Sequence, residues 1–188
     1  MRKARTLLLI VTCASVLAAA AGCGSNAAQY AQEARSSYVS ARAILVGIQE
    51  FPSEMEEILR SEDLSTAAVE GKELIDYTRD LLPSVSSAFR TVEEKCELLK
   101  GEGSDKYDPY ADKLLELVAL NEQVINAYTE FIGLSNSVLE GLPYSQDPES
   151  LMPTLNNMDS IIVRIQQITK QIEQFEEEAE ALYQELTK

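Results

Sequence analysis

The 188-residue chain has no histidine and no tryptophan, only 3 cysteines, 6 prolines and 8 glycines, and its 16 basic residues are outnumbered by 31 acidic ones. Without imidazole there is no histidine base, no Ser-His-Asp arrangement and none of the commonest metal ligand. Di-iron bundles, which draw on Glu-x-x-His pairs, are excluded on the same ground. No nucleophile–base pair, phosphate-cradling loop or metal-ligand set stands in the sequence. The chain therefore reads as a non-enzyme without a cofactor or metal. Its formal charge of −15 argues against nucleic acid as a partner, because phosphate backbones demand basic patches.

What is present begins with a compositional break. Arg2, Lys3 and Arg5 form a cationic head, and the 15 residues from Leu7 to Ala21 carry no charge. That run is shorter than the roughly 20 residues a membrane-spanning helix needs. A positive head, a short apolar run and a small-residue exit mark a cleaved secretory signal. Arg2-Lys3 in place of Arg-Arg favours the general secretion route over the twin-arginine one.

The exit, Ala20-Ala21-Gly22-Cys23, resembles the lipobox of bacterial lipoproteins, departing from it at Ala20, where that class more often has Leu. The resemblance implies a diacylglyceryl group on the Cys23 sulfur, cleavage just before it, and an extracytoplasmic domain held to the cell membrane or outer envelope. Two acyl chains hold stably where one holds only marginally. The expected organisation is a signal over 1–22, a lipidated tether over 23–26 and one domain over 27–188. Setting aside Arg2, Lys3 and Arg5 leaves 13 basic against 31 acidic residues, a net charge of −18. Such a domain should stand off anionic headgroups. Of the cysteines, Cys13 should leave with the signal and Cys23 should be acylated, so Cys96 would remain alone, with no disulfide within the mature domain.

The domain has the seven-residue grammar of packed helices. In the last stretch Leu151, Met158, Ile165, Ile172, Ala179 and Leu186 form one column. Thr154, Ile161, Ile168, Phe175 and Leu182 form a second, and Leu155, Ile162 and Tyr183 widen the stripe into a bundle face. In the third stretch Tyr110, Leu117, Val124, Phe131 and Val138 run beside Ala111, Val118, Ile125, Ile132 and Leu139. Asp108-Pro109 reads as its cap and Gly141 with Pro143 as its stop. The second stretch, from about Leu64 to Lys100, carries Ala68, Ile75, Leu82, Phe89 and Cys96, with Pro83 expected to kink it. The first is rich in Ala and Ser: Ala31, Ala34, Tyr38, Ala41, Leu45 and Ile48 keep the spacing, Phe51-Pro52 interrupts it, and Met55 and Leu59 resume in register. Short connections force antiparallel neighbours. The expected fold is all-α, an up-down-up-down four-helix bundle with long, coiled-coil-like helices.

Chemistry is thinly signalled. Glu173, Glu176, Glu177, Glu178 and Glu180 cluster late in the last helix, and Asp105, Asp108 and Asp112 around the third helix start. Both read as solvated acids, and the second lacks the calcium-loop pattern. Tyr107, Tyr110, Tyr128 and Tyr144 gather in or beside the third helix, where Asn121 and Ser135 share a column with Leu114 and Tyr128. A ligand pocket between helices would draw on Tyr110, Asn121 and Tyr128. Two functions follow as expectations. The first is a lipid-anchored structural or protein-interaction module whose partner is an envelope protein. The alternative is a sensor or binding bundle for a small ligand. An internal cavity with converging polar groups favours the second; a packed core with an exposed apolar patch favours the first.

Overall fold

The computed structural model describes residues 26–61, 63–141 and 148–188. The expected leader, the lipobox-like exit with Cys23, Pro143 and Tyr144 fall outside the described residues. The chain forms an all-α, up-down-up-down bundle of four long rods, with no strand among the described residues. None of the described helices is long and apolar enough to cross a membrane.

The first rod is two helices, α1 (Ala27–Val46) and α2 (Phe51–Leu59). Ala27, Ala31, Ala34, Tyr38, Ala41 and Leu45 are its buried side, on the spacing the sequence predicts. After Val46 the chain tightens. The amides of Gly47, Ile48 and Gln49 donate to carbonyls three residues back, at 3.0, 3.1 and 3.2 Å, the closure of a 3₁₀ turn. Pro52 then sits in the first turn of α2, where a missing N–H goes unnoticed. Phe51 and Met55 return to the core.

Asp63 starts α3 (Leu64–Gly101) by accepting the amides of Ser65 and Thr66 at 3.1 and 3.2 Å. The Thr66 hydroxyl donates to it as well, and these bonds hold its carboxyl down at about 2. The helix runs through Pro83, which lies on the exposed side. Gly103, at φ 63°, makes the left-handed turn that leads to α4 (Asp108–Gly141), a conformation that costs other residues a steric clash. Asp108 corrects the sequence reading. It is the first helical residue and not the cap, since the Ala111 amide donates to the Tyr107 carbonyl at 3.1 Å and Asp108 Oδ1 accepts nothing. A 3₁₀ turn, Pro148–Leu151, precedes α5 (Met152–Leu186).

Cross-contacts fix the rod directions. The Asn26 amide donates to Glu102, Lys95 pairs with Glu33, Tyr38 meets Phe89 edge-on, and Ile58 faces Gly71. Each advance along the first rod is matched by an equal retreat along α3. The tight turn at Gly47 therefore costs no register, and α2 continues the path of α1. Tyr110 against Tyr183 and Glu130 against Arg164 set α4 antiparallel to α5. Packing runs from α1 to α3, α3 to α4 and α4 to α5; α5 approaches the first rod far less closely than it approaches α4.

Cys96 is fully buried in the column of Ile75, Leu82 and Phe89. Burial pushes its thiol up to about 12, so little thiolate exists at neutral pH and reagents have little access. Thiol labelling of the folded protein should be negligible and become fast in denaturant. Cys96→Ala should lower unfolding free energy by about 1–2 kcal/mol through the small cavity it leaves. Rapid labelling without denaturant, or a disulfide-linked dimer, contradicts this placement.

Candidate functional site

The seam between the first rod and α5 is the open side of the bundle, and one column of α5 builds it. Leu155, Ile162, Thr169, Glu176 and Tyr183 repeat every seven residues, so they share one face. Glu176 and Tyr183 reach α1, while Leu155 and Ile162 line a recess beside α2. The column is apolar at its ends and polar in its middle.

At Glu176 four side chains from three helices close a ring. Tyr38 Oη and Arg42 Nε both donate to Glu176 Oε1, each at 2.7 Å. Asn121 Nδ2 reaches Tyr38 Oη at 3.5 Å, and Arg42 Nη1 reaches Asn121 Oδ1 at 3.5 Å. Asn121 is itself fixed by donating to the Leu117 carbonyl at 2.7 Å. The Arg42 side chain is only 16 % exposed, so this ion pair is sheltered where most others face water. Burial, then the bond to Glu176, pushes the Tyr38 phenol well above its ordinary pKa.

One turn further along α5, Arg35 donates to Glu180 Oε2 from Nε at 3.1 Å and from Nη2 at 2.9 Å. Its guanidinium lies 4.8 Å over the Tyr183 ring, which in turn tilts against Tyr110. The hydrogen bonds to Glu180 raise the guanidinium pKa further. Between the two ion pairs lies a cleft of about 310 Å³. Tyr110, Leu114 and Leu117 of α4 form its floor, with Val39 and Ala179 at the walls. A second recess of about 310 Å³, lined mostly by apolar side chains including Leu59, Met152, Leu155 and Ile162, lies by α2.

The three residues singled out by sequence do not converge. Tyr110 is in the cleft floor, Asn121 belongs to the polar ring at one end of it, and Tyr128 lines a separate depression with Gln49, Ile165 and Thr169. Along α4, Tyr110 and Tyr128 are 18 residues apart, about 27 Å at the helical rise, too far for one small ligand. Ser135 donates to the Phe131 carbonyl of its own helix. Three of the five acids clustered on α5 pair with cations: Glu176 with Arg42, Glu178 with Lys113 and Glu180 with Arg35. Asp112 pairs with Lys100, and among the described residues no group of three or more potential ligands gathers for a metal.

Sequence reasoning missed Arg35, Tyr38, Arg42, Glu176 and Glu180 as a set. The available signal was the column itself, where Thr169 and Glu176 interrupt Leu155, Ile162 and Tyr183, together with two arginines seven residues apart on α1. No protein-family profile, curated protein or solved structure matches this chain.

Two measurements probe the ring. Tyr38→Phe should cost about 1 kcal/mol, and Glu176→Ala about 2 kcal/mol because it leaves a sheltered guanidinium and a phenol without their acceptor. Their double-mutant cycle should show a coupling of about 1 kcal/mol; additive losses would mean the groups act independently. The second measurement is alkaline titration. Burial raises the pKa of Tyr38 and Tyr110, and brings that of Tyr128 to about 12. Raised folded values mean that the stability these phenols lend is intact below about pH 10, the unfolded value, and is lost as pH climbs through the folded ones. Part of the tyrosinate absorbance should therefore appear together with loss of helix. Full ionisation with the circular dichroism unchanged contradicts the burial.

Proposed function

We propose that the protein is a lipid-anchored, extracytoplasmic module that works by binding and not by catalysis, held to a membrane through Cys23 and serving an envelope partner. The lipobox-like Ala20-Ala21-Gly22-Cys23 carries this reading. What supports it in the fold is the place where α1 begins. Asn26, three residues beyond Cys23, donates its amide to Glu102 at 3.1 Å, and α1 starts at Ala27. Three residues reach at most about 10 Å, so a lipid on Cys23 keeps the α3–α4 turn beside the bilayer. The 38 residues of α3 then carry the α2 end about 57 Å outward.

At that outer end the α2–α5 recess exposes apolar surface, with Met152 48 % exposed and Leu59, Leu155 and Ile162 half-buried around it. Glu56, Arg60 and Asp159 stand at its rim, with Glu56 already paired to Arg60. An apolar anchor on a partner protein, with a basic side chain toward Asp159, fits that recess and a domain of net charge −18. A second reading, capture of a small ligand, is favoured by the cleft between the Arg35–Glu180 and Arg42–Glu176 pairs.

Cell fractionation tests the anchor. Cys23→Ser should move the protein out of the membrane fraction or leave the uncleaved precursor. A variant that is matured and still membrane-bound overturns the proposal.

A further inference from the structure

We propose that the cleft between α1 and α5 binds an apolar dipeptide with free ends, its carboxylate on Arg42 and its ammonium on Glu180. This rests on the small-ligand reading of the cleft and names the ligand.

Three observations converge on that class. The first is size and surface. A volume of about 310 Å³ lies at the small end of the roughly 300–1,000 Å³ that ligand pockets occupy, and the floor is Tyr110, Leu114 and Leu117. The body of the ligand is therefore small and apolar. The second is charge. Arg35 and Arg42 are two of six arginines among the described residues, and with Glu176 and Glu180 they make the cleft locally neutral in a strongly acidic domain. A net anion is repelled by the surroundings, and a net cation finds the carboxylates already held by Arg35 and Arg42. A ligand carrying one charge of each sign matches. The third is spacing. Arg35 and Arg42 are seven residues apart on α1 and Glu176 and Glu180 four apart on α5, about 10 and 6 Å along the axes. Two extended residues span about 7 Å, so the two termini of a dipeptide reach opposite ends of the cleft while its side chains rest on the floor.

The hydrogen bonds set the direction. Glu180 receives both Arg35 bonds on Oε2, and its Oε1 has only a 3.4 Å contact from Gln184, which leaves that oxygen for an ammonium. Glu176 already accepts Tyr38 and Arg42 on one oxygen. Arg42 holds Asn121 through Nη1 at only 3.5 Å, so its guanidinium has donors to spare for a carboxylate, which it can engage two-pronged.

Calorimetric titration of the full-length protein in lipid nanodiscs tests this with leucyl-leucine, its N-acetylated form and its C-amidated form. The free dipeptide should bind, and each blocked form should bind at least about tenfold more weakly, the loss of one charge-assisted contact. Val39→Trp adds bulk at the cleft mouth from a position 57 % exposed, where folding should tolerate it, and should weaken the free dipeptide by a similar factor. Glu180→Gln should abolish the penalty for N-acetylation and keep that for C-amidation. If the blocked forms bind as well as the free one and Val39→Trp still weakens them, the ligand class is wrong while the cleft stands. If Val39→Trp changes nothing, or no form binds at millimolar concentration, the cleft is not a ligand site and both fall.

Discussion

A seven-residue column of apolar side chains, carried without slip along rods of more than thirty residues, is the constraint on which the rest of this molecule depends. Each rod has to keep the same face inward from one end to the other, because a bundle of this length has no other means of holding distant residues in register. The first rod shows how strict this is. Its helix breaks at Gly47, yet Met55 lands in the core and Ile58 still faces Gly71 on α3. A 3₁₀ turn advances the chain by a similar angle with fewer residues, so the break changes local geometry and leaves the inward face where it was.

That constraint also explains why one seam stays open. α1 presents Ala27, Ala31, Ala34 and Ala41 to the core. Small side chains let it settle closely on α3, and they leave little bulk to reach α5. On the opposite wall α5 has Ala179 and Glu176 where large apolar residues would complete the packing. Between those two thin walls, Tyr38, Arg42 and Glu176 span the gap as long side chains with polar ends, where a fourth close helix–helix contact would otherwise lie. The cleft is thus a consequence of residue volume, and the polar ring is what bridges a seam of that width at one end. Bonds to a charged acceptor are worth more than neutral ones, which suits a place where apolar contact is scarce.

What the sequence made legible was whatever repeats along a single helix. The inward columns of α4 and α5, the buried place of Cys96 and the resumption at Met55 all follow from spacing alone. Asp108 was misread because an acid before Pro109 resembles a cap, and only the bond from Ala111 to the Tyr107 carbonyl shows the helix starting one residue earlier. Glu176 and Arg42 were harder for a deeper reason. Their meaning lies in what stands across the seam, and the periodicity of one helix carries no information about its neighbour's polar residues. Asn121 and Tyr128 share a column to which Tyr110 does not belong, and even within a column a seven-residue repeat aligns residues on one face but separates them along the axis.

The ion pairs divide by shelter in a way that bears on how the domain tolerates its own charge. Every seam has a cross-helix pair: Lys95–Glu33 between α1 and α3, Lys100–Asp112 between α3 and α4, Lys113–Glu178 and Arg164–Glu130 between α4 and α5, and the two arginine pairs toward α1. Exposed pairs contribute about 0–1 kcal/mol each and are screened by salt, so they do not hold the bundle together. They do place the scarce cations at the lines where acidic helices meet, which keeps the surplus negative charge facing outward. Arg42 and Lys113 are the sheltered cations of these pairs: Lys113 lies against the Phe175 ring, and the partner of Arg42, its neighbour Asn121 and the Tyr38 ring remove most of its water. Screening by ions reaches such a group poorly. A sheltered guanidinium therefore stands on the seam that close packing leaves unfinished, and salt that loosens the exposed pairs leaves this one in force.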